Sequence, residues 1–566
     1  MIIVFLFLPQ INFAATRIAS VPGNWNARAT WGGATVPTSA DDVIVNSNIS
    51  VIVNTNAVCK TLTINDNGLL SFITTGGYNL TVSGATNIKG TLILNIYNGT
   101  KIFVGLVTIY PTGVWNNSGG SPATFRGGVT NNGTFNAGSP YSYTFDTNAQ
   151  ALTGNIDMAG AGITVNGVTL TNNGVLTTTG NFSGSGTFVN STAGTYNNNS
   201  DFTITNLINN GIINKNDKNL TPTNITNTGI LNITGSVYTY SNTLVNSGVF
   251  NLTSSNGINT PYNRFTNTGV VNLNGTAWLS GITNNLGGVV NLINVSQSMG
   301  TFVNATNTSV LNILALTTSE SFINALTATT SGNTVNYCGV GNQVIKCWAT
   351  SYSNLKLTGS GIKTFTAAVA MSDTMTVVDG VKGNLGFGFI HTAGYLFFND
   401  EQQAAGSWGG ETSPAQHIST VYFTKNTGII NVSKGPNYWL GATSNDWGTA
   451  SNWTSNTVPQ SGKDVEFATV NNFGEDAKNN LVLDQDRVVG KLTNNSIKQL
   501  IIPAGKSLTV TDILATNGDP GAVQIKADIT LPNGALIFTN PQLNQSVKAT
   551  VEMYSKGFER GYYNLG

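Results

Sequence analysis

Hydrophobic and polar residues alternate along this chain in short runs, such as Asp42-Val43-Ile44-Val45, Ser50-Val51-Ile52-Val53 and Thr61-Leu62-Thr63-Ile64. Asn, Gly, Ser or Pro bounds each run, and these residues turn a chain. A period of two predicts half-buried β-strands of about four residues. No window carries a 3.6-residue apolar stripe with caps at both ends, so strands are expected nearly throughout.

A longer period lies over this alternation. The phrase Asn, small residue, Gly, two mostly apolar residues, Asn occurs at 131–136, 209–214, 227–232, 246–251 and 267–272. It returns at 307–312 with Ser309 in the Gly position, and looser copies centre on Gly174, Gly194 and Gly288. From Gly174 the central position advances by 20, 17, 18, 19, 21, 19 and 21 residues. A repeat of this length predicts an all-β parallel β-helix, a β-solenoid of about 19–20 residues per coil. Each coil then advances by one strand spacing, roughly 4.8 Å. The competing arrangement, a sandwich array with Asn-Gly hairpin turns, does not explain the constant spacing.

Within such a coil the phrase assigns roles. Asn136, Asn214, Asn232, Asn251, Asn272, Asn291 and Asn312 are expected to stack as a hydrogen-bonded amide ladder. Gly211, Gly229, Gly248 and Gly269 are expected to supply either positive φ or a close backbone approach at a corner. Stacking also accounts for the low charge, because like charges one coil apart would repel.

Charged residues make up only 9% of the 566 residues, and 25 basic residues balance 25 acidic ones. No basic run offers phosphate contacts, which disfavours a nucleic-acid partner. Past the first residues nothing is long and apolar enough to span a bilayer. Residues 1–15 run from an apolar stretch to Ala14-Ala15 and are expected to be a secretory signal with a start codon placed too late. The alternative is a buried first strand.

Two distant stretches share one opening. Trp25, Trp31, Pro37, Asp42 and Val43 are spaced by 6, 6, 5 and 1 residues, and Trp447, Trp453, Pro459, Asp464 and Val465 repeat that spacing. Two copies of one module are therefore expected. The chain divides into a signal (1–15), an N-terminal cap with the first coils (16–125), the Asn-Gly ladder (126–333), a third repeat unit (334–433) and an incomplete second module copy (434–566). The second copy allows for two solenoid segments. Trp25 and Trp31 are expected to cap an open β-edge, Trp447 and Trp453 to seal the start of a second solenoid. Asp42 and Asp464 are each expected to cap the turn before the first strand.

The ladder resembles filamentous-haemagglutinin and autotransporter-like passenger domains, which are parallel β-helices. The segment Trp31-Gly32-Gly33-Ala34-Thr35-Val36-Pro37 with Asp41-Asp42-Val43-Ile44-Val45 resembles the start of large Bacteroidota surface proteins and is similar to the G8 domain opening. Tyr337-Cys338-Gly339-Val340-Gly341-Asn342-Gln343 and Tyr352-Ser353-Asn354-Leu355-Lys356-Leu357 look like a repeat common in those proteins. The resemblance implies a secreted or surface-attached protein exported by the type IX route. Such proteins usually end in a sorting domain, whereas this sequence stops at Tyr562-Tyr563-Asn564-Leu565-Gly566, so truncation at the C-terminus is expected.

Candidate chemistry is sparse. Two histidines, His391 and His417, have no Ser or Cys partner at a telling spacing, and no ligand cluster suggests zinc. Asp201 and Asp217 could sit one coil apart, as the paired carboxylates of a glycan-cleaving β-helix would, but solvated turn positions explain them as well. Cys338 and Cys347 could meet across a turn, and their pairing is left open. No catalytic residue, metal or cofactor is expected. The expected function is a non-enzymatic extracellular structural or adhesin-like protein contacting polysaccharide or cell-surface components. The alternative is a polysaccharide-degrading β-helix enzyme, or the carbohydrate-binding part of one.

Overall fold

The computed structural model describes residues 14–94, 99–138, 141–260, 263–275, 278–295, 299–435, 437–454, 456–470 and 475–553. The expected signal segment lies outside these residues except for Ala14 and Ala15, as does the stretch Tyr562 to Gly566. The fold is an all-β solenoid of about 23 turns. It falls into two units, Met1–Ala367 and Ala368–Gly566.

In the first unit the period-two alternation becomes a three-faced coil. Asp42–Val45, Ser50–Val53 and Ala57–Cys59 form the three sides of one turn. The next turn pairs with it in parallel, Asp42 against Thr61, Ser50 against Leu69 and Ala57 against Leu80. Val43, Val45, Val51 and Val53 point inward and are fully buried. Each such side chain stabilises the stack by about 1.5–3 kcal/mol relative to exposure. Aromatic residues line part of this interior as columns. Phe103, Phe125 and Phe145 stack with centroids 5.7 and 5.5 Å apart.

The ladder region holds two amide columns, where one was expected. Asn214, Asn232, Asn251, Asn272, Asn291 and Asn312 form a half-buried column in which each donates Nδ2–H to Oδ1 of the preceding coil at 2.7–2.9 Å. Asn197 opens this column and Asn336 extends it. Asn136 stands apart, with its amide 3.5 Å from Asn116 in a different sheet. The second column is wholly buried. Asn172, Asn190, Asn209, Asn227, Asn246, Asn267 and Asn284 each donate to the asparagine of the next coil at 2.7–3.0 Å, and Asn304 ends the column as the last acceptor. The same amides donate to inward-turned carbonyls, Asn227 to Gly229 and Val249 for example. A carbonyl can only accept, so these contacts fix the amide orientation. Successive partners stand 17 to 21 residues apart, a wider range than the expected 19–20.

The glycines of the phrase lie at the corner between the two columns. Their φ is not positive. Close approach explains them instead, because a Cβ on Gly229, Gly248 or Gly269 would sit 2.1 Å from the carbonyl oxygen of the glycine one coil earlier. The ladder sheet also runs past the expected boundary at 333, since Asn312 pairs with Asn336 and Tyr337 with Leu357.

The second unit begins with parallel strands Ala370–Val377, Ile390–Phe398 and Ile429–Val432. Gly406–Gly409 joins Ile429–Val432 antiparallel, a local departure from all-parallel stacking. A further three-sided parallel stack follows from Asn437 onward, its turns closed by pairs such as Val465 with Leu492, Leu481 with Leu500 and Arg487 with Leu508.

Candidate functional site

The two tryptophan modules fold alike. Trp31 donates its indole N–H to the Trp25 carbonyl at 2.7 Å, and Trp453 donates to the Trp447 carbonyl at 2.8 Å. Both pairs meet edge to face, with centroids 5.2 and 5.1 Å apart. The Trp25 and Trp447 amides donate to Ile52 and Val482 of adjoining strands. All four rings are buried, each pair in an end coil whose outermost strand is Gly23–Asn24 in the first module and Asn437–Trp439 in the second.

Six residues further on, both modules make the same turn. The Asp41 amide donates to the Thr38 carbonyl at 3.1 Å, and the Lys463 amide donates to the Gln460 carbonyl at 3.2 Å. The side chains then differ. Buried Asp41 accepts from the Thr38 amide and hydroxyl, both at 2.8 Å, and from the Ala15 amide at 3.0 Å, with Arg17 nearby. Burial alone would raise its pKa, but these contacts together hold it below the usual value. The turn is therefore capped by Asp41, and the expected role of Asp42 needs correction. Asp42 instead receives the Thr61 hydroxyl of the next coil at 2.7 Å. Asp464 likewise receives the Lys491 amide of the next coil at 2.8 Å, and its burial raises its pKa.

In the second module Lys463 replaces the capping aspartate and points elsewhere. Its Nζ lies 4.3 Å from the centre of the Tyr395 ring, and Lys434 Nζ lies 5.2 Å from the same centre. These residues belong to a cleft of about 700 Å³. Tyr395, Gln402, His417, Lys434, Tyr438 and Lys463 line it, with Pro459 and Asp464 of the module motif. His417 is stacked on Trp408 at 4.6 Å. Gln402 is buried, and its Oε1 has no hydrogen-bond partner. Sequence reasoning picked out Pro459 and Asp464 but missed Tyr395, Gln402, Lys434 and Lys463. The available signal was the change from Asp41 to Lys463 at equivalent module positions.

The other candidates take structural positions. His391 is buried, with Nδ1 accepting the Val369 amide at 3.2 Å and Nε2 at 3.0 Å from the Leu385 carbonyl. Asp201 and Asp217 accept the backbone amides of Asn219 and Ser236, each one coil further on. Cys338 and Cys347 are free thiols, so the bridge left open by their spacing is not formed. Gln343 occupies the turn between them, accepting the Gly339 amide and donating to the Ile313 and Ala315 carbonyls. Burial raises the pKa of both thiols. Among the described residues no group of three or more His, Cys, Asp or Glu side chains could hold a metal ion. Among them, no helix is long and apolar enough to cross a membrane.

No protein-family model matches this chain, and no solved structure matches it. The chain is similar to the minor fimbrium subunit Mfa5 of Porphyromonas gingivalis, with 39% identity over 129 residues. That match covers 22% of this chain and 10% of the fimbrial protein, so the chain spans only a small part of its relative's length.

Proposed function

We propose that this chain is a non-enzymatic extracellular protein, structural and adhesin-like, that presents a long β-solenoid surface at or beyond the cell envelope. The observation that carries this reading is the doubled asparagine ladder, which commits the most buried polar groups of the repeats to stacking one coil on the next. A stack held this way extends a surface without needing a globular core. The similarity to a fimbrium subunit of a Bacteroidota species supports placement at the cell surface. The sequence resemblance supports export by the type IX route. The partners on this reading are cell-surface components or polysaccharide.

Surface labelling of intact cells with an impermeant reagent tests the reading, combined with attachment assays on a deletion strain. Labelling of the chain on intact cells and weaker attachment of the deletion strain are expected. Labelling that requires cell lysis would overturn it.

A further inference from the structure

We infer that the cleft beside the second tryptophan module binds an acidic glycan, one whose sugar rings carry uronate carboxylates. The inference deepens the surface-contact reading and rests on it for access to such glycans. The two modules supply an internal comparison. The Pro37 to Asp42 turn and the Pro459 to Asp464 turn close with the same backbone hydrogen bond. The first is capped by a buried carboxylate, and the second keeps its shape with a lysine at that position. The turn therefore does not require Lys463, whose charge is directed into the cleft instead.

Lys463 and Lys434 converge on one ring, Tyr395, from 4.3 and 5.2 Å. Their mutual distance cannot exceed the sum of these two, which keeps them within about a Debye length of each other. Neither forms an ion pair among the described residues. Two cations held together in a concave site favour an anion between them. The Asp464 carboxylate lines the same cleft and offsets part of the Lys463 charge, but among the described residues it forms no ion pair with either lysine.

Gln402 adds a second requirement. Its Oε1 is buried in the cleft wall without a partner and can only accept. An unsatisfied buried acceptor is costly, so a turn of the Gln402 side chain that brings Oε1 to a ligand's hydrogen-bond donor is favoured. A bare anion has none. A uronate ring offers a carboxylate for the lysines and hydroxyls for Gln402. The cleft, about 700 Å³, falls within the usual range of ligand sites, roughly 300–1,000 Å³.

Calorimetric titration of the purified full chain with oligogalacturonate, cello-oligosaccharide and poly-glutamate tests the inference. Oligogalacturonate is expected to bind and the neutral cello-oligosaccharide to give no heat. Lys434→Gln and Lys463→Gln are each expected to weaken binding by about tenfold or more. Gln402→Leu should weaken it as well, and Lys356→Gln, in the first unit, should leave it unchanged. Lys434 is exposed, so its variant decides the matter should Lys463→Gln perturb the circular dichroism spectrum. Absence of oligogalacturonate binding, affinity indifferent to Lys434→Gln, or tighter binding of poly-glutamate would each overturn the assignment. These outcomes are read on purified protein, so they are independent of whether intact cells display the chain.

Discussion

Asn227 donates its side-chain amide to Oδ1 of Asn246 in the next coil, at 2.7 Å and with both residues wholly buried. On the far side of the Gly229 corner the direction reverses, and Asn251 donates back to Asn232 at 2.8 Å. The two amide columns thus run in opposite senses, so their dipoles offset along the stack. The columns differ in access to water, and that difference decides what each residue contributes.

Asn246→Ala removes a donor from the Gly248 and Val270 carbonyls and an acceptor from Asn227, all in a buried corner. Leaving such groups unpaired costs roughly 1–3 kcal/mol for each that water cannot reach. A loss of about 3 kcal/mol or more is expected. Asn251→Ala cuts the outer column, where solvent can replace the lost bonds, and should cost about 1 kcal/mol or less. Urea denaturation compares them. Equal losses would show that the inner column has no special weight.

Gly248→Ala places a methyl group 2.1 Å from the Gly229 carbonyl oxygen, so two coils must separate. Overpacking of this kind costs about 1–3 kcal/mol or more. Gly287 has φ of 73° and nothing within 4 Å of an added Cβ. Gly287→Ala therefore meets only backbone strain, about 1–2 kcal/mol. The corner variant is expected to accelerate hydrogen exchange in the neighbouring coils, whereas the turn variant should alter exchange only locally. Faster exchange spreading from Gly287 instead would contradict the close-approach account.

Trp31→Phe and Trp453→Phe remove equivalent indole bonds, leaving the Trp25 and Trp447 carbonyls unpaired in buried surroundings. Each should lose about 1–3 kcal/mol. The nearby Trp25 and Trp447 amides, bonded to Ile52 and Val482, should exchange faster in their respective variants. A silent substitution in one module and a damaging one in the other would mean that the shared geometry does not carry shared energetics.

How much of this was legible in the sequence follows from the range of the signals. The Asn-Gly phrase repeats locally, so the solenoid and its corners could be read directly. The inner ladder was present as the first Asn of several copies, but inserted turns shift it. In the sixth copy the buried position is Asn304, not Asn307 of the phrase. The cleft was hidden because its walls come from stretches far apart, around Tyr395 and Lys463, which only folding brings together. Cys338 and Cys347, whose pairing the sequence left open, illustrate a different limit. Their spacing suits a bridge, but Gln343 and Lys363 fill the turn with amide and ammonium contacts that spacing cannot show.

Three buried lysines make the stability of the fold depend on pH. Burial lowers the pKa of Lys101, Lys215 and Lys363 from 10.5 to about 8. Below about 8 both folded and unfolded chains hold these protons, and the burial of the ammonium groups counts in full against folding. Between about 8 and 10.5 the folded lysines are neutral while the unfolded ones are charged. Stability should therefore rise with pH across that window, by at most about 1.4 kcal/mol per group and pH unit. Buried thiols and tyrosines set the upper limit. Burial raises Cys59 to about 12 from 9.0 and Tyr143 to about 12 from 10.0, so the unfolded chain loses these protons first, which offsets the rise from about pH 9 and reverses it above pH 10. A maximum between pH 9 and 10 is expected in urea midpoints measured across this range. Lys101 is the clearest test, because burial is what lowers its pKa, with Nζ bonded to the Gly99 carbonyl and lying 4.8 Å from the Phe72 ring centre. Lys101→Met should raise stability at pH 7 and make the rise above pH 8 shallower. A variant that keeps the full slope would assign the pH dependence to other groups.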